Sequence, residues 1–532
     1  MDFTLSLDPN AAIPLHQQLY DELRRSILTG RLLPQQRIPS SRSLAKSLGI
    51  SRTTVTQSYD RLLSEGYLET MRGSGTYVCS QLPDELLHST PIQPLAKQPY
   101  PPIPLSQYGN DLAQAPFQLL KEPDQPICFR YGRPAFDRFP LKLWRRLLSR
   151  QSRTTGWMDY ATDMQGYQPL REAIAQYLNR ARAVQCTPEQ VVITNGTQQA
   201  LDLMMRLLIE PGDTIALEDP SYLSARRIFL SHGAKLLPVP VDEFGLQVER
   251  LTKQENKPIR LVYVTPSHQF PTGATLSLPR RLELLAWANQ QNALILEDDY
   301  DSEYRYGDRP IPALQGLSQG QSVIYIGTFS KVLFPSLRIG YLVLPPNLVS
   351  VAVQAKWLSD RHLPILDQMV LTDFITEGHL ESHIRKMRSY YDQNRQVLVQ
   401  ALRMHFGEQI TILGEKAGLH LMVRLRTNLS DAEIVQFAAQ AGVGVLLAQP
   451  HYLFPADRHE LIFGYGELNP TQIQTGIAQL AQAIGFRTSD KAASSPNRQI
   501  FPLKAPYQPN FGVEIGHMEC RRGNVAASKP DP

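Results

Sequence analysis

Residues 327–340 read GTFSKVLFPSLRIG, and the apolar run VIYI comes directly before them. Because such a run favours a buried strand, the sequence predicts that Lys331 lies in a loop at the strand's end. Ligand sites of α/β proteins form at this edge of a sheet. A lysine there can react with an aldehyde as a free amine, while Thr328, Ser330 and Arg338 can gather around a phosphate. A lone Ser-Lys pair is weak support, because most lysines are solvated at the surface.

A second polar stretch ends another apolar run, since residues 293–300 read ALILEDDY. Burying carboxylates at a strand end is costly unless their charge is paired. The protonated nitrogen of a pyridine ring is a suitable partner for Asp298, and Tyr300 could hydrogen-bond a hydroxyl group on that ring. The alternative interpretation is that these acids cap the loop that follows the strand.

Two further stretches lie upstream. Residues 191–201, VVITNGTQQAL, predict a strand, a tight turn and a helix whose N-terminus can bind phosphate with help from Thr197 and Gln198. Residues 217–222, LEDPSY, end in Tyr222, which could stack on an aromatic ring or could simply pack in the core. Each pattern is common alone, so the specificity lies in their order.

In this order the four stretches resemble the fold-type-I aminotransferases of class I and II over nearly all of residues 128–486. The resemblance implies an α/β fold and the cofactor pyridoxal 5′-phosphate. It implies that Lys331 is the catalytic Schiff-base lysine, that Asp298 pairs with the ring nitrogen and that Tyr300 binds the ring oxygen. The phosphate ligands that it implies are Thr197, Gln198, Thr328, Ser330 and Arg338.

The same resemblance gives roles to two more tyrosines. Tyr222 would stack on the ring, and Tyr160 would reach the phosphate site of a neighbouring subunit, which implies a homodimer.

The four cysteines have no paired spacing, so neither a disulfide framework nor a metal site is expected.

One stretch departs from ordinary aminotransferases of this fold, which usually carry an asparagine before Pro-Thr-Gly to bind the ring oxygen. Residues 265–273 read TPSHQFPTG, so the position is Phe270. The loss of that amide argues against efficient turnover, although His268 or Gln269 could partly replace it.

A second departure concerns the substrate. The last core strand, ELIFGYG at residues 460–466, contains no arginine to clamp a carboxylate. Arg458 lies just before it and could serve, whereas Ser224, close to Tyr222, is not basic. An effector carboxylate therefore lacks an obvious second anchor.

Residues 1–80 have the pattern of a helix-turn-helix with a wing. Apolar spacing predicts a helix from Leu15 to Leu28, and Ser40 or Ser41 can cap a second helix. Ser51 can cap a third helix, Arg52 to Ser64. Two short strands flanking RGSG would form the wing. The order of these segments resembles the GntR-type winged helix, and the expected DNA contacts are Ser40, Arg42, Ser51, Arg52, Thr53, Thr54, Gln57, Gly73 and Gly75.

Composition does not decide whether this head binds DNA. The net charge of the whole chain is +4, and residues 1–80 hold nine basic and seven acidic side chains, so a small helical interaction module is the alternative.

Residues 81–127 contain ten prolines and predict an extended linker. The polar tail, residues 487–532, is expected to be disordered. No signal peptide and no membrane segment are expected, which favours the cytoplasm.

Head and body together resemble the MocR/GabR-type transcription regulators. The resemblance implies a homodimer, associated with the nucleoid, that binds double-stranded promoter DNA and senses an amine, an amino acid or a B6 vitamer. At most a half-reaction or low transaminase activity is expected. The alternatives are a metabolic aminotransferase that carries a DNA-binding head and a repressor with a vestigial cofactor pocket.

Overall fold

The computed structural model of this chain describes residues 7–9, 11, 13–71, 73–83, 103–114, 122–160, 163–252, 258–307, 311–318, 322–454 and 458–485. The chain divides into two compact units, residues 1–104 and residues 105–532. Within the described ranges, no helix has both the length and the apolar character needed to cross a membrane. The tail predicted at residues 487–532 lies outside the described residues.

The first unit is a three-helix head with a two-stranded wing. Its elements are α1 (Leu15–Leu28), α2 (Ser41–Leu48), α3 (Arg52–Ser64), β1 (Leu68–Met71) and β2 (Gly75–Val78). The two strands are antiparallel, with Leu68 opposite Val78. The apolar faces of all three helices meet in one core that includes Leu19, Leu44, Val55 and Leu62. Leu63, which the spacing predicts to be buried, is half-buried at the rim of this core.

The second unit alternates helices and strands. Its helices are α4 (Gln107–Gln114), α5 (Leu141–Gln151), α6 (Gln168–Arg182), α7 (Gly196–Leu208), α8 (Leu223–Ser231), α9 (Glu249–Thr252), α10 (Leu278–Gln291), α11 (Leu314–Leu317), α12 (Pro346–Asp360), α13 (Ile365–Thr376), α14 (His379–Phe406), α15 (Asp431–Gln440) and α16 (Pro470–Ala483). Its strands are β3 (Ile127–Cys128), β4 (Val191–Thr194), β5 (Thr214–Asp219), β6 (Lys235–Asp242), β7 (Gly245–Leu246), β8 (Ile259–Val264), β9 (Leu294–Asp299), β10 (Val323–Thr328), β11 (Gly340–Val343), β12 (Ile410–Leu413), β13 (His420–Leu425), β14 (Val443–Gly444), β15 (Leu446–Leu447) and β16 (His459–Gly464).

The large sheet of this unit has eight strands in the order β4-β11-β10-β9-β8-β5-β6-β7. Neighbouring strands from β10 through β9, β8 and β5 to β6 are parallel, whereas β11 and β7 run antiparallel to their neighbours. Every residue of β4 and β10 is buried. Strands covered on both faces require such continuous apolar runs, which explains why VVIT and VIYI were readable as strands. The predicted α/β fold is confirmed.

A smaller antiparallel sheet follows along the chain, with the order β12-β13-β16-β15. The long helix α14 and the helix α16 pack with it, and their buried side chains form a second core that includes Leu398, Leu421, Phe463 and Ile477. This sheet presents the start of β13 to the carboxyl edge of the large sheet, because His420 contacts the loop that follows β8.

Residues 84–102 and 115–121 of the predicted extended linker lie outside the described residues, and its described part contains the helix α4. That helix, QYGNDLAQ, contains no proline, so its backbone amides are free to make helical hydrogen bonds. Its Tyr108 ring lies 6.0 Å from the His232 ring at the end of α8. This part of the segment is therefore packed within the second unit.

Candidate functional site

The two helices of the predicted DNA reader begin at serine caps. The Ser40 side chain accepts a hydrogen bond from the Ser43 amide at 3.2 Å, and Ser51 accepts one from the Thr54 amide at 3.1 Å. Between them Gly49 ends α2 with a φ of 68°, a conformation that glycine adopts without strain. The turn between α2 and α3 is therefore specified locally, and Ser40 is the cap of the two serines considered.

Most side chains predicted to contact DNA are exposed around the starts of α2 and α3. The Arg52 Nε lies 3.4 Å from the Ser41 hydroxyl, which ties these two helix starts together. The exposed members of the predicted set are Ser40, Arg42, Ser51, Arg52, Thr53, Gln57 and Gly73, whereas Thr54 and Gly75 are half-buried.

One exposed cation on this unit was missed by sequence reasoning. Arg37 pairs through its backbone with Tyr77 of the wing, and a Cβ added at Gly75 would lie 2.8 Å from the Arg37 Nε. Gly75, with a φ of 121°, therefore leaves room for a guanidinium against the wing. A single arginine in a loop carries no sequence pattern that could have pointed to this contact.

The second unit has a cavity at the carboxyl edge of the large sheet. Nine of the ten residues predicted to bind the cofactor line it. They are Thr197, Gln198, Tyr222, Asp298, Tyr300, Thr328, Ser330, Lys331 and Arg338. The parallel strands β9 and β10 deliver Asp298 and Lys331 side by side, because neighbouring parallel strands end at the same edge.

Lys331 lies in the wall of this cavity, where its Nζ donates a hydrogen bond to the Gly132 carbonyl at 2.9 Å. Burial lowers the pKa of Lys331, and the carboxylates of Asp301 and Asp298 partly oppose this shift. A lowered pKa increases the fraction of free amine, which is the form that attacks an aldehyde. Gly132 makes room for the amine, since a Cβ there would lie 2.6 Å from Nζ.

The three acids at the end of β9 have separate partners. Glu297 accepts the amides of Leu314 and Gln315 at 2.9 Å each, and Asp299 pairs with Arg182 at 2.8 Å. The capping interpretation thus describes Glu297. Of the three, Asp298 alone lines the cavity.

Asp298 accepts a hydrogen bond from the Tyr263 hydroxyl at 2.8 Å through Oδ2, while its Oδ1 is buried without a partner among the described residues. Burial raises the pKa of Asp298 to about 7. A buried oxygen without a donor is costly, and the protonated ring nitrogen of pyridoxal phosphate would satisfy it. Bound there, the cofactor supplies an aldehyde that reacts with amines and a ring that accepts electrons.

The opposite end of the cavity suits a phosphate group. The helix α7 begins here, and a Cβ at Gly196 would lie 2.9 Å from the Arg338 Nη2. The Arg338 guanidinium is held by the side chain and carbonyl of Asn195 at 3.2 and 2.8 Å. The Thr328 hydroxyl donates to Ser330 at 3.1 Å. A helix N-terminus, a guanidinium and hydroxyls together form an anion site, so the residues present fit the cofactor at both ends.

The neighbourhood of Phe270 shows whether Gln269 can replace the missing amide. Phe270 lines the cavity, and the Tyr222 ring packs edge-on against it with centroids 6.0 Å apart. The Gln269 amide donates to the carbonyls of Pro220 and Phe270 at 2.7 Å each and does not line the cavity. Gln269 is thus committed to its own loop and does not replace the amide.

His268 acts on the cavity indirectly. The Tyr300 hydroxyl donates to the His268 carbonyl at 2.9 Å and lies 3.1 Å from its Nδ1. His268 itself does not line the cavity. It holds Tyr300, the predicted partner of the ring oxygen, and does not reach that oxygen's place itself.

Three residues from the sequence interpretation lie outside the cavity. Tyr160 is 66% exposed, and the Arg361 guanidinium lies 4.3 Å from its ring centroid. Arg458 is exposed and Ser224 is half-buried, and neither lines the cavity. Arg458 is therefore not the carboxylate clamp considered above. On β16, where a clamping arginine was sought, the position that packs with Phe270 holds the fully buried Ile462.

Several lining residues were missed by sequence reasoning, among them Tyr131, Tyr263, Asp301 and His420. Tyr263 sits inside an apolar run and looks like ordinary core. Asp301, His420 and His268 are buried together, with potential ligand atoms within 4.8 Å of one another. Their separation along the chain leaves no motif, and the sequence interpretation predicted no metal site.

Comparison with known proteins assigns both units. Residues 15–78 match the family "Bacterial regulatory proteins, gntR family", and residues 129–457 match "Aminotransferase class I and II". The chain is 39% identical to "Probable rhizopine catabolism regulatory protein MocR" of Rhizobium meliloti, covering 92% of this chain and 99% of the relative. It is 30% identical to the "HTH-type pyridoxine biosynthesis transcriptional regulator PdxR" of Corynebacterium glutamicum, covering 91% and 99%.

A solved structure supports the assignment of the body. LysN, the alpha-aminoadipate aminotransferase of Thermus thermophilus, was crystallised with N-(5′-phosphopyridoxyl)-L-leucine and matches with a TM-score of 0.65. It is 30% identical, and the match covers 71% of this chain and 96% of LysN. With the full-length match to MocR, this chain belongs to the MocR-type family of GntR helix-turn-helix transcription regulators, whose aminotransferase class I and II domain uses pyridoxal 5′-phosphate.

Proposed function

We propose that this regulator senses an amine, an amino acid or a B6 vitamer through the cavity at Lys331 and changes its binding to promoter DNA in response. The observation that carries this proposal is the built cofactor site in a chain whose head is a DNA-binding module. Lys331, Asp298 and Arg338 converge on one cavity from separate strands and loops. A ligand can regulate only if it binds two conformations with different affinity.

The head is proposed to read DNA through α3 and the wing. Arg52 stands at the exposed start of α3, where helix-turn-helix proteins contact bases in the major groove. A homodimer would carry two heads and would recognise two half-sites. We place this dimer in the cytoplasm, associated with the nucleoid.

The exposed Tyr160 supports the proposed dimer. Its ring is 66% exposed and does not line its own chain's cavity, which fits a role in the phosphate site of a second subunit. We propose residues 1–80 as the head, 81–127 as the linker, 128–486 as the cofactor domain and 487–532 as the tail.

The test measures DNA binding by the cofactor-loaded protein with a fluorescent fragment of its own upstream region. Addition of an amine or an amino acid to the loaded protein, or of pyridoxal phosphate to the cofactor-free protein, is expected to shift the affinity. An affinity that no ligand of these classes changes, while the cavity binds them, would contradict the sensor role.

The second candidate is a metabolic aminotransferase that carries a DNA-binding head. The lowered pKa of Lys331 and the complete cofactor site favour it. Phe270 argues against it, because an apolar side chain stands where turnover would benefit from an amide. Rapid multiple turnover with an amino donor and a keto acceptor would favour the enzyme, whereas a single half-reaction or none would favour the regulator.

A further inference from the structure

One side of the cavity at Lys331 is left over when the cofactor's ligands are assigned. The remaining lining residues include Tyr131, Gly132, Asp301, Leu419 and His420. They lie beside the reactive amine, since the Lys331 Nζ donates to the Gly132 carbonyl. A small molecule whose amine meets the cofactor at Lys331 would place its other polar group among them.

Asp301 gives this side a buried carboxylate. Asp301 and His268 are 2% and 1% exposed, and the His268 Nδ1 lies 3.1 and 3.0 Å from the two carboxylate oxygens. A carboxylate has about four lone-pair positions, so one imidazole leaves acceptor capacity unused. The His268 Nε2 is itself buried without a partner among the described residues. Asp301 therefore remains able to accept from a group in the cavity.

His420 adds a second acceptor to the same side. Its Nε2 lies 3.2 Å from the Pro271 carbonyl, and burial together with the neighbouring His268 keeps the pKa of His420 well below its ordinary value. A neutral imidazole that donates through Nε2 has a lone pair on Nδ1. The rings of His268 and His420 are 4.8 Å apart, so the acceptors form one group.

The cations needed to hold a carboxylate are engaged elsewhere. Among the described lining residues the cations are Lys331 and Arg338, and Arg338 is held by Asn195 at the phosphate end. Arg133, whose charge helps to lower the pKa of Lys331, pairs with Glu122, and Arg424, on β13, pairs with Glu460 at 2.9 Å. An effector carboxylate on this side would face the Asp301 charge in a desolvated site, which is unfavourable.

Gly418 shows that these acceptors are closely built into the fold. A Cβ at Gly418 would lie 2.0 Å from the His268 Cε1 and 2.5 Å from the Asp301 Oδ2. Its carbonyl accepts the hydroxyls of Tyr306 and Tyr465 at 2.7 and 2.6 Å. The start of the smaller sheet thus lies directly against these acceptors. A ligand bound to them therefore contacts residues beside the smaller sheet and residues beside the large sheet.

From this arrangement we propose that the effector is a primary amino alcohol: its amine meets the cofactor at Lys331, and its hydroxyl donates a hydrogen bond that Asp301 and His420 share. The proposal rests on the proposed sensor function and names the effector's chemical class. A hydroxyl can donate a hydrogen bond, whereas an ionised carboxylate can only accept one. Because this side of the cavity offers acceptors, it favours the amino alcohol over the amino acid with the same carbon skeleton. The apolar surface of Phe270 and Leu419, which both line the cavity, accommodates the carbon skeleton.

The experiment compares three amines with one carbon skeleton: L-alaninol, L-alanine and isopropylamine. Each is titrated into the cofactor-loaded full-length protein, and binding is followed by the change in the cofactor's visible absorbance and by calorimetry. L-Alaninol is expected to bind at least about tenfold more tightly than either, because a hydrogen bond to a charged group contributes about that factor. Equal or tighter binding of L-alanine would overturn the proposal.

Two variants test the acceptors. Asp301→Asn and His420→Phe are each expected to reduce the alaninol preference by about tenfold, while the affinity for isopropylamine stays unchanged. His232→Gln is the matched control, because His232 pairs with Asp202 and does not line the cavity. If Asp301→Asn fails to fold, His420→Phe decides, and an unchanged preference in His420→Phe would overturn the proposal.

Two further outcomes separate this inference from the function on which it rests. Preferential alaninol binding without any change in DNA affinity would support the subsite and contradict the sensor role. A divalent cation that copurifies and is lost in both variants, with ligand binding abolished by a chelator, would overturn the proposal. His268, Asp301 and His420 would then be metal ligands and not acceptors for a hydroxyl.

Discussion

Replacing Asp298 by asparagine tests the cofactor site at the atom on which the geometry depends. Oδ2 accepts the Tyr263 hydroxyl, and Oδ1 is buried without a partner among the described residues. Asparagine keeps the shape and the bond to Tyr263, but it removes the charge that would pair with the ring nitrogen. The variant should therefore weaken cofactor binding without disturbing the surrounding strand.

The size of the effect follows from the burial of this residue. A hydrogen bond between charged groups contributes about 1.5–3 kcal/mol, so the cofactor should bind about tenfold to about 150-fold more weakly. The cofactor-free variant should not be less stable than the cofactor-free native protein, since a buried carboxyl with a pKa raised to about 7 opposes folding once ionised.

The sign of the pH effect can be stated. The folded protein holds the Asp298 proton up to about pH 7, whereas the unfolded chain loses it near pH 4. Between these values the folded state binds more protons, so this group's contribution to stability falls as pH rises. Relative to the native protein, the cofactor-free Asp298→Asn variant should gain stability from pH 4 to pH 7.

The assay is thermal unfolding of both proteins across this pH range, with and without pyridoxal phosphate, together with a cofactor titration by absorbance. Tyr263→Phe is the comparison variant, because it removes the donor to Oδ2 and keeps the carboxyl group that can ionise against the ring nitrogen. Unchanged cofactor affinity in Asp298→Asn would refute the assignment of this carboxylate to the ring nitrogen. Lower stability of the cofactor-free variant at pH 7 would refute the argument from burial.

Four other substitutions give separate tests. Lys331→Ala should abolish the visible absorbance of the covalently held cofactor and leave the head folded, and an unchanged spectrum would refute the lysine's role. Arg52→Ala should weaken promoter binding by about 1–3 kcal/mol if its guanidinium contacts a base, which anisotropy titration measures; unaltered affinity would exclude α3 as the reader. Ser51→Ala should destabilise the first unit by about 1 kcal/mol through loss of the α3 cap, detected by denaturant unfolding; no change would mean the cap is redundant. Phe270→Asn should raise transaminase turnover in a coupled assay, and an unchanged rate would show that the lost amide does not limit activity.

Local sequence was sufficient for the elements whose cause is local. Serine caps and Gly49 set the boundaries of α2 and α3, because their hydrogen bonds join residues three or four apart. The buried strands β4 and β10 were readable because strands covered on both faces are continuously apolar. The α/β fold and the cofactor family followed from these runs and the polar residues at their ends.

Sequence alone could not predict which partner each acid at the end of β9 would have. The partners of Glu297, Asp298 and Asp299 come from α11, β8 and α6, which are distant along the chain. The helix α4 was hidden by the prolines around it, since composition was averaged over a longer segment. Gln269 was a reasonable substitute for an amide by position, but its loop turns it inward to neighbouring carbonyls.

The order of residues along the chain was sufficient to predict the two modules, the loop that carries Lys331 and the strand-turn-helix at residues 191–201, because each depends on side chains that are close neighbours in sequence. Tertiary structure alone decided which acid faces the cavity, and it brought Asp301, which follows β9, to the same wall as His420, which begins β13. The physical reason is that the charge of a pocket depends on all the groups that folding brings together. Those groups are far apart in sequence, so their spacing along the chain does not predict that charge.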